Sequence, residues 1–99
     1  MPTYVTLFKH TQEGKEGIER IPDVYQEVTE QFRAMGAENM GVYYGSMGEY
    51  DGFGIMEVPD GETAETIRLA FEREGTHHFE NYEVFEAEEY FEMIEEGTS

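Results

Sequence analysis

The octapeptide Gly45-Ser46-Met47-Gly48-Glu49-Tyr50-Asp51-Gly52 most narrows what this chain can fold into. It separates two runs of strand composition, 40–47 and 50–58. Glycine admits positive φ at little steric cost, and Asp and Glu are poor strand formers. The segment therefore predicts a β-hairpin with its tip near Gly48-Glu49. What surrounds the hairpin is symmetric in outline: strand and helix before it, helix and strand after.

Residues 3–10 alternate, with Tyr4, Thr6 and Phe8 on one face and Val5, Leu7 and Lys9 on the other. Both faces are largely apolar, as in a central strand covered on two sides. A polar connection, 11–17, follows with a short turn of helix through Ile18. Pro22 suits the first turn of a helix whose Ile21, Val24, Tyr25, Val28, Phe32 and Met35 recur at three- and four-residue steps, and Gly36 ends it. In the hairpin, Met40, Val42, Tyr44 and Ser46 share a face, as do Asp51, Phe53, Ile55 and Glu57. Asp60 is a good N-cap for a helix over 62–74, with Ala64, Ile67, Ala70 and Phe71 as its stripe and Gly75 as its stop. A last strand, 77–85, leads to a short helix, 87–95, with Tyr90, Phe91 and Ile94 expected inward. The order β-α-β-β-α-β plus a C-terminal helix reads as α+β, a ferredoxin-like split βαβ arrangement with an antiparallel four-stranded sheet. Ninety-nine residues suit one domain.

Two helices cover one face of such a sheet. The other is expected to carry Tyr4, Phe8, Tyr44, Phe53 and Phe79, a larger apolar patch than monomers usually expose. A homodimer packed sheet to sheet is the economical expectation.

Twenty-three acidic residues face six basic ones, for a formal net charge of −17. An aromatic content of 14% and clear apolar periodicity argue against disorder. The acids are spread over every segment, and the lysines are Lys9 and Lys15 alone. That pattern fits a folded domain adapted to high salt, where a Debye length of about 3 Å screens the repulsion. Nucleic acid is an unsuitable partner, because the whole-protein field repels phosphate. No apolar run is long enough to span a bilayer, no signal-peptide pattern opens the chain, and there is no cysteine, so a cytoplasmic protein without disulfide or thiolate chemistry is expected.

With these elements placed, one ordered set of pieces stands out: Met1-Pro-Thr-Tyr-Val5, Leu7-Phe-Lys9, Thr11, Gly14, Pro22, Tyr44, Gly48-Glu-Tyr-Asp51, Glu57-Val-Pro-Asp60, and Phe85 with the acidic helix to Ile94. In these the sequence resembles the GYD-domain family, a branch of the dimeric α+β barrel superfamily. The resemblance implies a dimer whose sheets face one another across a barrel-like interior. Relatives in the superfamily include cofactor-free monooxygenases, muconolactone-type isomerases, haem-degrading enzymes and ligand-binding modules of transcription regulators, and fold alone does not choose among them. The absence of tryptophan sets the chain apart from the haem-degrading group. Phe79 and Asn81 stand where the family tends to small hydroxyl residues, and His10 where it has an aromatic one.

Several residues could carry chemistry. Asp51 would act as an acid or base at the barrel mouth with Tyr50 as a hydrogen-bond donor, or would cap backbone N–H groups while Tyr50 packs on a helix. His77, with Phe79 and Asn81 on the expected barrel face, could accept a proton from a small acidic or phenolic ligand. His10 adds a titratable group and is a candidate ligand-binding residue. Tyr44 and Ser46 form a polar line that would anchor a ligand or pair across the dimer. His77 and His78 point to opposite faces, which leaves His78 and Glu80, with His10 on the neighbouring strand, as thin support for a three-ligand metal site, and ordinary strand-edge histidines are the expectation. No phosphate loop, nucleophile elbow or His-Glu-x-x-His is present. Two functions follow: a cofactor-free, monooxygenase- or isomerase-like enzyme acting on a small apolar or phenolic compound, or a non-catalytic metabolite-binding or structural dimer module.

Overall fold

In the computed structural model, residues 1–98 are described. Strand β1 (Thr3–His10) is followed by a one-turn helix α1 (Gln12–Glu16), a 3₁₀ turn (Ile18–Arg20) and helix α2 (Ile21–Ala34). The hairpin comprises β2 (Glu38–Met47) and β3 (Tyr50–Glu57); helix α3 (Gly61–Glu74), strand β4 (His77–Val84) and helix α4 (Ala87–Thr98) complete the order. The four strands form one antiparallel sheet in the order β2-β3-β1-β4. This is the α+β, ferredoxin-like arrangement that the sequence predicts. No helix is long and apolar enough to cross a membrane among the described residues.

Local signals explain most boundaries. Met47 pairs with Tyr50, and Gly48 takes φ +69° at the hairpin tip. Asp60 caps α3 by accepting the N–H of Thr63 at 2.8 Å, and Gly75 ends that helix at φ +82°. The connection 11–17 contains a true helix because Thr11 caps it, its hydroxyl oxygen accepting the N–H of Gly14 at 3.0 Å.

Which side of the sheet the helices cover differs from expectation. Tyr4, Phe8, Tyr44 and Phe79 lie beneath the helices, and only Phe53 of the five expected residues is on the open face. The core joins Phe8 and Phe79 to Val24, Val28 and Phe32 of α2 and Ala64, Ile67 and Phe71 of α3. Phe71 stacks on Phe79 with ring centroids 4.1 Å apart. The open face instead carries Val5, Leu7, Tyr43, Phe53, Ile55, Tyr82 and Val84, fixed by the pairings Val5↔Ile55, Leu7↔Phe53 and Val5↔Tyr82. Side-chain parity is binary, so a choice by one residue inverts a whole strand. β1 is apolar on both faces and gives no vote. The deciding residues are Gly52 and Gly54, which pair with Phe8 and Thr6. A Cβ at Gly52 would stand 2.6 Å from the Phe8 ring and 2.4 Å from the Tyr43 carbonyl. Glycine there lets the Phe8 ring cross β3.

Helix α4 also departs from expectation. It runs three residues beyond 95, and Tyr90, Phe91 and Ile94 are exposed rather than inward, with no buried residue in the helix. The molecule is flat and long, 53 × 32 × 18 Å.

Candidate functional site

Like Gly52, Gly54 puts no side chain on this face of β3, and that leaves a trough. Above Gly54, between the sheet and α2, lies a cavity of about 330 Å³ walled by Phe8, Phe32, Val42, Met56, Ile67, Phe71 and Phe79. An open groove along α2 and β2 shares with it Tyr25, Thr29, Arg33, Asn39, Val42 and Tyr44, and extends to His10, Ile18 and Ile21. Tyr25, Thr29 and Arg33 are four residues apart, so they form one line on α2. The opposite wall is β2, the outer strand of the sheet. Asn39 donates its amide to the Tyr25 hydroxyl oxygen at 3.3 Å and spans the two walls.

At the end of the groove near the end of β1, four of the candidate residues meet. His10 and His77 are cross-strand partners, with ring centroids 5.2 Å apart. The His10 ring also lies against Tyr44, at 5.9 Å and 29°. Asp51 Oδ2 accepts the backbone N–H of His10 at 2.8 Å and stands 3.9 Å from its Nδ1. The capping function expected for Asp51 and its approach to an imidazole are thus met by one oxygen. His10 Nε2 is buried with no hydrogen-bond partner.

His77 is 1% exposed and wedged between Phe8, Phe71 and Phe79. Its Nδ1 is 2.9 Å from Thr76 Oγ1, and its Nε2 is 3.2 Å from the Tyr44 hydroxyl. Burial, helped by the nearby His10, pushes its pKa down to about 4, so the ring is neutral at neutral pH. Desolvation, with the Tyr25 hydroxyl adding to it, pushes Tyr44 up to about 12 and keeps it a phenol. A Tyr44–His77–Thr76 chain of neutral groups results. With the imidazole proton on Nε2 facing the Tyr44 oxygen, the Thr76 hydroxyl donates to Nδ1, and the Tyr44 O–H is free to point into the groove.

The remaining candidates are elsewhere. Asn81 uses both ends of its amide, accepting from Thr6 Oγ1 at 2.8 Å and donating to the Ala64 carbonyl at 2.9 Å, and so ties α3 to the sheet. Ser46 is exposed near the hairpin tip, past an irregularity in the β2–β3 register, so the expected polar line with Tyr44 does not continue. Tyr50 lies on the open side under Lys9, whose Nζ is 5.5 Å from the ring centre. The hydrogen-bonded carboxylate of Glu80 pushes the Tyr50 hydroxyl up to about 12. His78 faces away from the groove and pairs with Glu72, 2.9 Å from its carboxylate. Among the described residues no three His, Asp or Glu side chains converge as a metal site.

Sequence reading missed Arg33, Asn39, Thr29 and Thr76. The first and third carried a signal: with Tyr25 they form a polar line at four-residue spacing beside the apolar stripe of α2.

Neither curated proteins nor solved structures give a match to this chain. The model of the GYD domain, by contrast, matches residues 4–94. That span takes in the four strands, save Thr3 at the start of β1, and all the groove residues described above, and the chain belongs to the GYD-domain family.

Proposed function

We propose that this chain binds a small apolar or phenolic molecule in the groove between α2 and the sheet and moves a proton on it, as a cofactor-free, isomerase-like enzyme. The observation that carries the reading is the unpartnered, buried Nε2 of His10 at the groove, with Asp51 behind the same ring. A proton on Nδ1 facing Asp51 leaves a lone pair on Nε2 for a phenolic or enolic hydrogen. The imidazolium formed by that transfer is stabilised by the Asp51 carboxylate. Tyr44, held by His77, donates to the oxygen that gains charge, and returning the proton to a ring carbon completes a tautomerisation. In this assignment His10 is the base, and His77 positions Tyr44.

The test is hydrogen–deuterium exchange at the carbon next to the hydroxyl of 2-naphthol, in D₂O with molar KCl. The wild type is expected to accelerate exchange, and His10→Phe, which keeps the ring packing, to bind the naphthol without accelerating it. Binding without acceleration in the wild type would favour the non-catalytic metabolite-binding alternative. No binding at millimolar naphthol would remove both readings.

A second copy belongs to the same proposal. On the open face Tyr43 and Tyr82 are exposed and Val5, Leu7, Phe53 and Ile55 are half-buried, and α4 has an apolar side without cover. Two such faces packed together give the barrel of the dimeric α+β superfamily, with one α2 groove in each protomer outside the shared interior. The surplus of acids over cations supports a protein whose working medium is concentrated salt.

A further inference from the structure

We infer that the ligand of the groove carries an anionic group, a carboxylate on an aromatic or otherwise apolar body, and that Arg33 receives it. This rests on the groove reading above and names its ligand class. Of the six cationic side chains, Arg33 alone lines either the cavity or the groove. Among the described residues it takes part in no ion pair. Two carboxylates line the same spaces, Glu38 at the cavity and Glu30 at the groove, and neither forms an ion pair with it. In a chain with a net charge of −17, an anion is repelled from most of the surface. A planar guanidinium with five donors at an apolar cavity is the one feature of this groove that reverses the preference, and it matches a carboxylate in a bidentate pair.

Distance sets the ligand's orientation. Tyr25 to Arg33 is eight residues of helix, about 12 Å at 1.5 Å per residue. β2 runs with β1, so Tyr44 and His10 are at one end of the groove and Arg33 and Asn39 at the other. A compound with its ionised group on Arg33 presents its far end to Tyr44 and His10. The apolar middle occupies the space over Gly54 and Met56.

The test compares 2-naphthoate with 2-naphthamide, which have nearly the same shape and differ in charge, by calorimetry in 0.5 M and 2 M KCl. The wild type is expected to bind the naphthoate about fivefold more tightly at the lower salt, a preference that shrinks at the higher. Arg33→Met, which keeps an apolar stem, should erase the preference and leave naphthamide affinity within about twofold; Arg33→Lys should restore part of it. Equal affinity for both compounds in the wild type, or a preference that survives in Arg33→Met, overturns the charge assignment while leaving the groove as a ligand site. Failure of both compounds to bind overturns the groove reading as well.

Discussion

The hydroxyl of Tyr44 is 3.2 Å from Nε2 of His77, so a residue that is 46% exposed is bonded to a ring that is 1% exposed. The contact joins the outer strand β2 to the opposite edge strand β4, with both rings edge-on to Phe8, whose own ring crosses Gly52. Tyr44→Phe keeps the ring packing against Phe8 and His10 but strands a buried imidazole nitrogen. Leaving a buried polar atom unsatisfied costs about 1–3 kcal/mol. Urea unfolding in molar KCl should show that loss, and the variant should also bind phenols more weakly than the wild type.

His77 should remain neutral well into the acid range. Its folded-state pKa of about 4 is below the ordinary histidine value of 6.5, so between those values the unfolded chain binds the extra proton. Stability from this group is therefore full above pH 6.5 and falls as pH drops toward 4. Protonation of the many carboxylates acts on the same range, which makes a difference measurement the clean one. The gap in melting temperature between wild type and His77→Gln should narrow from pH 7 to pH 4.5. Proton NMR of the His77 ring should show no titration above about pH 5; a midpoint near 6.5 would contradict this environment.

Gly52 and Gly54 occupy equivalent positions on β3 but should respond oppositely to alanine. At Gly52 a methyl would meet the Tyr43 carbonyl and the Phe8 ring at 2.4 and 2.6 Å, so Gly52→Ala should destabilise by roughly 2 kcal/mol or more. At Gly54 the nearest atoms, the Gly41 carbonyl and a Val42 methyl, are 3.4 Å away. Gly54→Ala should fold with little loss, and Gly54→Val should fill the cavity floor. Calorimetry with 2-naphthol should then show binding in Gly54→Ala reduced and in Gly54→Val abolished, with circular dichroism unchanged in both.

The elements were legible in the sequence because each is marked locally. Asp60 and Gly75 bracket α3, Pro22 opens α2, and Gly48-Glu49 turns the hairpin. Sheet parity was not legible from β1, whose two faces are equally apolar, and the inward glycines of β3 were the signal that decided it. His10 and His77 were each singled out in the sequence, but that they face one another depends on the β1–β4 register, which no local pattern sets. Asp51 was reachable as a turn residue next to a strand end. Thr76 and the engagement of Asn81 with the Ala64 carbonyl depend on how α3 settles on the sheet, which no local pattern encodes. Arg33 belongs to a stripe one step round the helix from the apolar one, and only the gap above Gly54 gives that stripe something to line.

The open face and the net charge make a joint prediction, because burying that face brings two chains of −17 together. Attraction between Val5, Leu7, Phe53, Ile55 and their copies is short-ranged, whereas the repulsion falls with the Debye length, from about 30 Å at 0.01 M to about 3 Å at 1 M salt. Sedimentation should therefore give twice the chain mass in 2 M KCl and a lighter, less stable species in dilute buffer, with a melting temperature that rises with salt. Phe53 stacks on Tyr43 at 5.2 Å at the centre of this face and makes no contact with the groove. Phe53→Glu should give a monomer even in 2 M KCl while leaving naphthol binding in place. A wild-type monomer at high salt would show that the face stays in water, and a melting temperature indifferent to KCl would show that the acids are not held apart by screening.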